Sequence, residues 1–267
     1  MRNRHLATHG RMGLALMAVA GWLALLAANA PTHADILVVQ GSTTFNFELI
    51  SGHQNAIEAA SRHSLTVIAN KSNLGLLALF KGEADLAMIS TSLANEAEIL
   101  QRSNPDLPTA KLKVFAIART QAALITHPTN TVQSISSENL RRVLLGEITD
   151  WRELGGAPMA IRVVAVREGG GVVSSVEASV LGPGKHLTAP NQIRVQNGSQ
   201  IIKIVEQEPG ALGITQVKMT AGHQLKRLAT TVPIEQQLNL VSLGEPTPAM
   251  LDVIAACREV AANAGLE

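Results

Sequence analysis

Hydroxyl and glycine residues gather at three points where apolar runs of this chain end. They are Gly41-Ser42-Thr43-Thr44-Phe45, Asn70-Lys71-Ser72-Asn73-Leu74-Gly75 and Arg167-Glu168-Gly169-Gly170-Gly171. A helical pattern follows each, so each loop offers backbone N–H groups that lack partners within the helix and sit at the positive end of its dipole. Such helix starts hold anions. Serine and threonine hydroxyls donate to an oxyanion without adding charge, and an arginine fork grips two oxygens at once. Together these residue types describe a pocket for a small tetrahedral or carboxylate anion. Any one loop alone is explained more often by capping than by ligand binding, because Ser, Thr, Asn and Gly are what helix starts use. Their joint occurrence at successive strand ends is what points to a ligand.

The elements that must position these loops are legible as an alternation. Short β-branched runs at 36–39, 65–69, 85–89, 114–126, 161–166, 193–196 and 212–215 read as strands, and their continuous apolar character suits burial on both faces. Helical patterns fall at about 47–62, 74–81, 95–102, 137–145, 173–181, 199–207 and 248–263. Strand and helix in turn predict an α/β fold with a mainly parallel sheet, and open sheets of that kind bind ligands beyond the carboxyl ends of their strands. Gly146 and Pro209-Gly210 read as helix stops and Asn197 as an N-cap.

Composition narrows the chemistry. The 267 residues hold 22 Lys+Arg against 21 Asp+Glu with no basic arm, which argues against nucleic acid as partner. Aromatic residues make up 2% of the chain, too few for stacking platforms. The lone Cys257 excludes an intramolecular disulfide framework and a cysteine metal cluster. It lies on an apolar-periodic terminal helix with Val253 and Val260 and reads as a buried small hydrophobe. No nucleophile elbow, P-loop, ordered dinucleotide-binding glycines or His-Glu-x-x-His pattern is present. His53, His63, His127 and His186 read as surface residues, Asp85 as a structural carboxylate bonded to nearby backbone N–H groups, and Trp151 as packing beneath the Gly155-Gly156 turn. Neither a cofactor nor a metal is expected.

Residues 1–34 read as an export signal. Arg2, Arg4 and Arg11 precede an uncharged run from Met12 to Ala28, and Thr32 and Ala34 suit a cut before Asp35. The rival reading is a retained anchor, since the run is near the lower limit for a bilayer span. Removal of this segment takes away three cations and leaves 19 basic against 21 acidic residues, so attraction for an anion must be local.

Several stretches resemble one family in unbroken order. They are Gly41-Ser42-Thr43-Thr44-Phe45, Gly82-Glu83-Ala84-Asp85-Leu86-Ala87-Met88-Ile89-Ser90, the run from Leu144 to Gly156 containing Gly146-Glu147-Ile148-Thr149-Asp150-Trp151, Val164 to Gly171, Ser174-Ser175-Val176-Glu177, and Glu208 to Ile214. Over about residues 36–217 the chain is similar to the periplasmic phosphate-binding protein family of ABC transporters. The resemblance implies a two-lobed type II periplasmic binding-protein fold closing on a dehydrated oxyanion. Lobe one is expected at 35–118 plus 216–267 and lobe two at 119–215, with crossovers near Ala118 to Gln121 and Gly213 to Val217.

Carried over residue by residue, Thr44 and the Phe45 backbone match the first anion-binding segment, Ser72 the second and Ser90 the third. Arg167 matches the cation clamping the anion from lobe two, and Gly170 and Gly171 fall in the final glycine-rich turn. The chain departs from the pattern where two hydroxyls of that turn read Gly170 and Val172, with Ser174 a substitute donor if the loop runs differently. It departs again at Ser90, where an aspartate is usual, at Lys71, where a small residue is usual, and at Thr91 in place of an arginine. The expected function is capture of an inorganic oxyanion, phosphate foremost, in the periplasm by a monomer that delivers it to an inner-membrane ABC permease. A sensor or accessory protein with an altered ligand, and a periplasmic hydrolase using a loop serine, are the alternatives.

Overall fold

In the computed structural model, which describes residues 34–167, 171–182, 184–231 and 233–266, the apolar runs join into one ten-stranded sheet. The expected export segment lies outside the described residues except for Ala34. Strands β1 (Ile36–Ser42), β2 (Ser64–Asn70) and β3 (Leu86–Ile89) form one flank, and β6 (Arg162–Val166), β7 (Ile193–Val195) and β8 (Ala211–Gln216) the other. Pairing is parallel within each flank: β1 with β2 and β3, and β6 with β7 and β8. The centre is antiparallel, because the long β4 (Leu112–Thr126) and β10 (Ile234–Leu243) run between the flanks in the order β3-β10-β4-β8. The short β5 (Ser134–Ile135) and β9 (Lys226–Thr230) lie off this path.

Helices form where the caps allow. Helix α1 covers 43–61 and contains a wider π-type turn at Asn46–Ile50. It is followed by α2 (Ser72–Lys81), α3 (Leu93–Ser103) and α4 (Ser137–Leu145); α5 covers 171–181, and α6 (Gly198–Gln207) and α7 (Pro248–Asn263) complete the set. The side chain of Asn197 accepts from the Gln200 N–H, the expected cap of α6. Gly146 ends α4 at φ 79°, where a side chain would be strained. Among the described residues, no helix is long and apolar enough to cross a membrane.

Four apolar clusters of the described residues pack against the sheet, and the two largest flank the central strands. One packs Leu37, Val39, Leu49, Ile57 and Met88 against Val253, Ile254 and Cys257 of α7; the other packs Val143, Leu144, Trp151, Val163 and Val176 with Leu212 and Ile214. Strand β4 gives Ile117 and Ala118 to the first and Leu124 to the second, while β10 gives Leu240 and Leu238 to the first and Ile234 to the second. Both strands therefore pass from lobe to lobe, side by side, with their register shifting between Leu238 and Asn239.

This corrects the expected second crossover at Gly213 to Val217. Leu228 of β9 and Ile234 still belong to the second core, and β9 pairs with the Leu124–Thr126 end of β4. The chain returns along β10. That strand escapes sequence reading because Gln236, Asn239 and Ser242, all buried, interrupt its apolar pattern.

Smaller expectations resolve as well. Asp85 precedes β3, and its Oδ2 accepts from the Val38 N–H at 2.7 Å. Trp151 is fully buried, and its indole N–H donates to the Gly210 carbonyl at 3.0 Å. His63 is not a surface residue. It is 7% exposed, with Nδ1 accepting from the Asp35 N–H and Nε2 3.4 Å from Asp252, because α7 folds back over the β2 end of α1.

Candidate functional site

Of the three loops, the first and the far end of the third meet: Thr43 and Thr44 border the same cavity as Gly171, and no residue of the second lines it. Ser42 closes β1 and caps α1: its hydroxyl accepts from the Phe45 N–H at 3.1 Å and donates to Ser90 Oγ at 2.8 Å. Gly41, at φ 136°, lets β1 pass so close to the Met88 carbonyl that a side chain there would overlap it. Ser90 stands at the end of β3 and is completely buried. Opposite it, the first residue of α5, Gly171, packs so closely that an added Cβ would overlap Ser90 Oγ and lie 3.5 Å from Thr44 Oγ1. A glycine is needed here for close approach, not for its backbone angles.

Beside this contact is a cavity of about 40 Å³ lined by Thr43, Thr44, Gly171, Val172, Gly198, Thr215 and Gln216, with Val166, Ile201 and Ile214 beneath. One ordered water needs about 10–15 Å³ on the same measure, so the space exceeds one water several-fold. The opening residues of α1, α5 and α6 all border it, which brings three helix N-termini to one small volume. Helix α6 is held there by Ile201, Ile202 and Val205, each buried side chain contributing roughly 1.5–3 kcal/mol. Thr44 Oγ1 accepts from Gln216 Nε2 at 3.1 Å, which leaves the threonine proton free to donate. Every lining residue is uncharged.

A hydrogen-bond chain crosses the lobes below the cavity. Gln236 Nε2 of β10 donates to Ser175 Oγ at 3.4 Å, and Ser175 Oγ donates to the Ser90 carbonyl at 3.2 Å. Lys218, which follows β8, donates to the Glu48 carbonyl of α1 at 3.2 Å and lies over the Phe47 ring at 5.5 Å.

The predicted site residues separate accordingly. Thr44 and Gly171 line the cavity, and Ser90 underlies Gly171. The Phe45 N–H is taken by the Ser42 cap, and its ring is in the core. Ser72 is 2% exposed, at the corner where Thr91 donates to Glu96 at 2.6 Å. Burial pushes the Glu96 carboxyl up, and the hydroxyls of Thr91 and Ser72 draw it partly back. Lys71 is exposed.

Arg167 does not line the cavity. Its backbone N–H donates to the Val195 carbonyl at 2.9 Å, extending the β6–β7 pairing, and its exposed side chain lines a different depression with Arg194 and Lys203. Gly170 lies outside the described residues. Ser175, not Ser174, makes the contact across the lobes; Ser174 borders a surface groove with Asn95 and His186. Sequence reasoning missed Thr215, Gln216 and Gln236 as site residues. The only available signal was polar side chains inside otherwise apolar strands.

A two-lobed α/β molecule with helix starts converging between lobes that share two crossing strands has the type II periplasmic binding-protein fold. Residues 27–259 match the model of the PBP superfamily domain, and the chain belongs to that superfamily. The phosphate-binding protein PstS of Borreliella burgdorferi is 25% identical over 214 residues, which cover 76% of this chain and 73% of that protein. Two solved structures share the fold. One is an ABC-type phosphate transport receptor from Vibrio cholerae, with TM-score 0.69 and 18% identity over 86% of this chain and 98% of that one. The other is a putative phosphate ABC transporter substrate-binding protein with bound phosphate from Clostridium perfringens, with TM-score 0.71 and 20% identity over the same shares.

Proposed function

We propose that this chain is an exported protein that captures a small inorganic oxyanion, phosphate foremost, and delivers it as a monomer to an ABC permease in the inner membrane. The observation that carries the reading is the 40 Å³ cavity bordered by three helix starts, three threonines and the Gln216 amide. Unpartnered N–H groups and hydroxyls are the chemistry a dehydrated oxyanion needs. The relatives named as phosphate-binding supply the ligand expectation, and the arginine-rich run before an uncharged N-terminal stretch supplies the expectation of export to the periplasm. Thr44, the N-terminal residues of α5 and Gln216 are the proposed anion contacts. Ser90 and Ser175 set how closely the lobes approach.

A second reading is favoured by the direct packing of Gly171 on Ser90, which leaves no space between them for a ligand atom. It is the same fold with an altered or weakly held ligand, serving as a sensor or accessory protein. Calorimetry of the chain from Asp35 with phosphate, sulfate and molybdate separates the two. Phosphate binding that is lost in Thr44→Val supports the transport reading. Titrations silent for phosphate sink it.

A further inference from the structure

Three cations gather outside the cavity. A depression of about 360 Å³ is lined by Arg167 at the end of β6, Arg194 of β7, Lys203 of α6, and Gln196 and Gln200. Among the described residues no carboxylate lines it, and none of the three cations forms an ion pair with a described acid. Its volume is several times that of the cavity at the helix starts and falls in the range of small-molecule sites.

Arg194 is built into this wall. Its Nε donates to Gln192 Oε1, Nη1 to the Val166 carbonyl at 3.2 Å and Nη2 to the Leu187 carbonyl at 3.3 Å. A guanidinium carries five N–H donors, so two remain unused on a fork already fixed in place. Gln200 Oε1 accepts from the Gln196 N–H at 2.7 Å, which commits its acceptor oxygen and leaves its amide donors available. Arg167 and Lys203 are exposed and complete three sides of positive charge.

We propose that this depression is a second anion site, distinct from the cavity, and that it takes a condensed phosphate. Three cations spread around 360 Å³ match a ligand whose charge is spread over at least two linked groups, whereas the 40 Å³ cavity has room for one small group. Phosphoryl oxygens also suit the arginine fork. The inference does not depend on the cavity's ligand.

Inorganic pyrophosphate, without divalent metal, is the probe. Isothermal titration of the full chain is expected to show one pyrophosphate site that persists in excess orthophosphate. The Arg167→Gln/Lys203→Gln double variant, altered only at exposed positions, is expected to bind it at least about tenfold more weakly, since each charge-assisted contact is worth roughly that factor. Absence of binding, displacement by orthophosphate, or an unchanged dissociation constant in the folded double variant each overturns the proposal. Amide shifts of Val195, Gln196 and Gln200 on titration locate the site independently, and shifts confined to Thr44 and Gln216 overturn it as well.

Discussion

Gly171, the first residue of α5, packs directly on the hydroxyl of Ser90, and the two come from opposite lobes. The position is helical with ordinary backbone angles, so alanine there is favoured by propensity and opposed only by space. The neighbour it would strike is short, fully buried and hydrogen-bonded to Ser42, so it cannot swing away freely.

Gly171→Ala is therefore expected to destabilise the closed arrangement by about 1–3 kcal/mol, the usual range for overpacking. In the Ser90→Ala background the penalty should shrink, because the clashing oxygen is gone. A thermal-melt double-mutant cycle reads the coupling. Equal costs in both backgrounds would show that the two residues do not meet.

Gln216→Leu removes the donor to Thr44 and the amide from the cavity wall. The expected stability loss is about 1–3 kcal/mol, because buried Thr44 loses a partner. Calorimetry should also show weaker anion binding. An unaltered melting temperature together with an unaltered affinity would remove Gln216 from the site.

Glu48 is buried beneath the strands joining the lobes, and desolvation pushes its carboxyl up, with Lys218 and Thr120 opposing the shift less strongly. The folded state then holds its proton to higher pH than the unfolded state, so stability falls as pH rises from about 4.5 through the folded pKa. Glu48→Gln is expected to raise the melting temperature at pH 7 and to change little at pH 4. A variant less stable at pH 7 would show that the charged form is the one the fold prefers.

Cys257 is fully buried on α7, and burial pushes its thiol up to about 12. At pH 8 its thiolate fraction is on the order of one in ten thousand. A disulfide reagent should leave the native protein unlabelled and titrate one thiol in denaturant. Rapid native labelling would mean that α7 detaches readily from the first core.

Most elements could be read from the chain because their signals are local. The Asn197 cap, the Gly146 stop and the Ile201, Ile202, Val205 stripe each need only a few neighbours to be recognised. Within the site, Thr44, Ser90 and Gly171 were legible as helix-start and strand-end residues. Strand β10 was not, since Gln236 and Asn239 look like loop residues until Ser175 and the Thr91 carbonyl are found opposite them. Gln216 was hidden for the same reason.

The amino-acid order alone located most strands and helices, β5, β9 and β10 aside, and showed that three helix starts carry small polar residues, because periodicity and capping act over a few residues. Only the tertiary structure decided that β10 carries the chain back between lobes, that the Phe45 N–H is taken by Ser42, and that Arg167 faces Arg194 and Lys203 rather than Thr44. Those outcomes depend on which distant side chains compete for one donor or one space, and separation along the chain does not encode that competition.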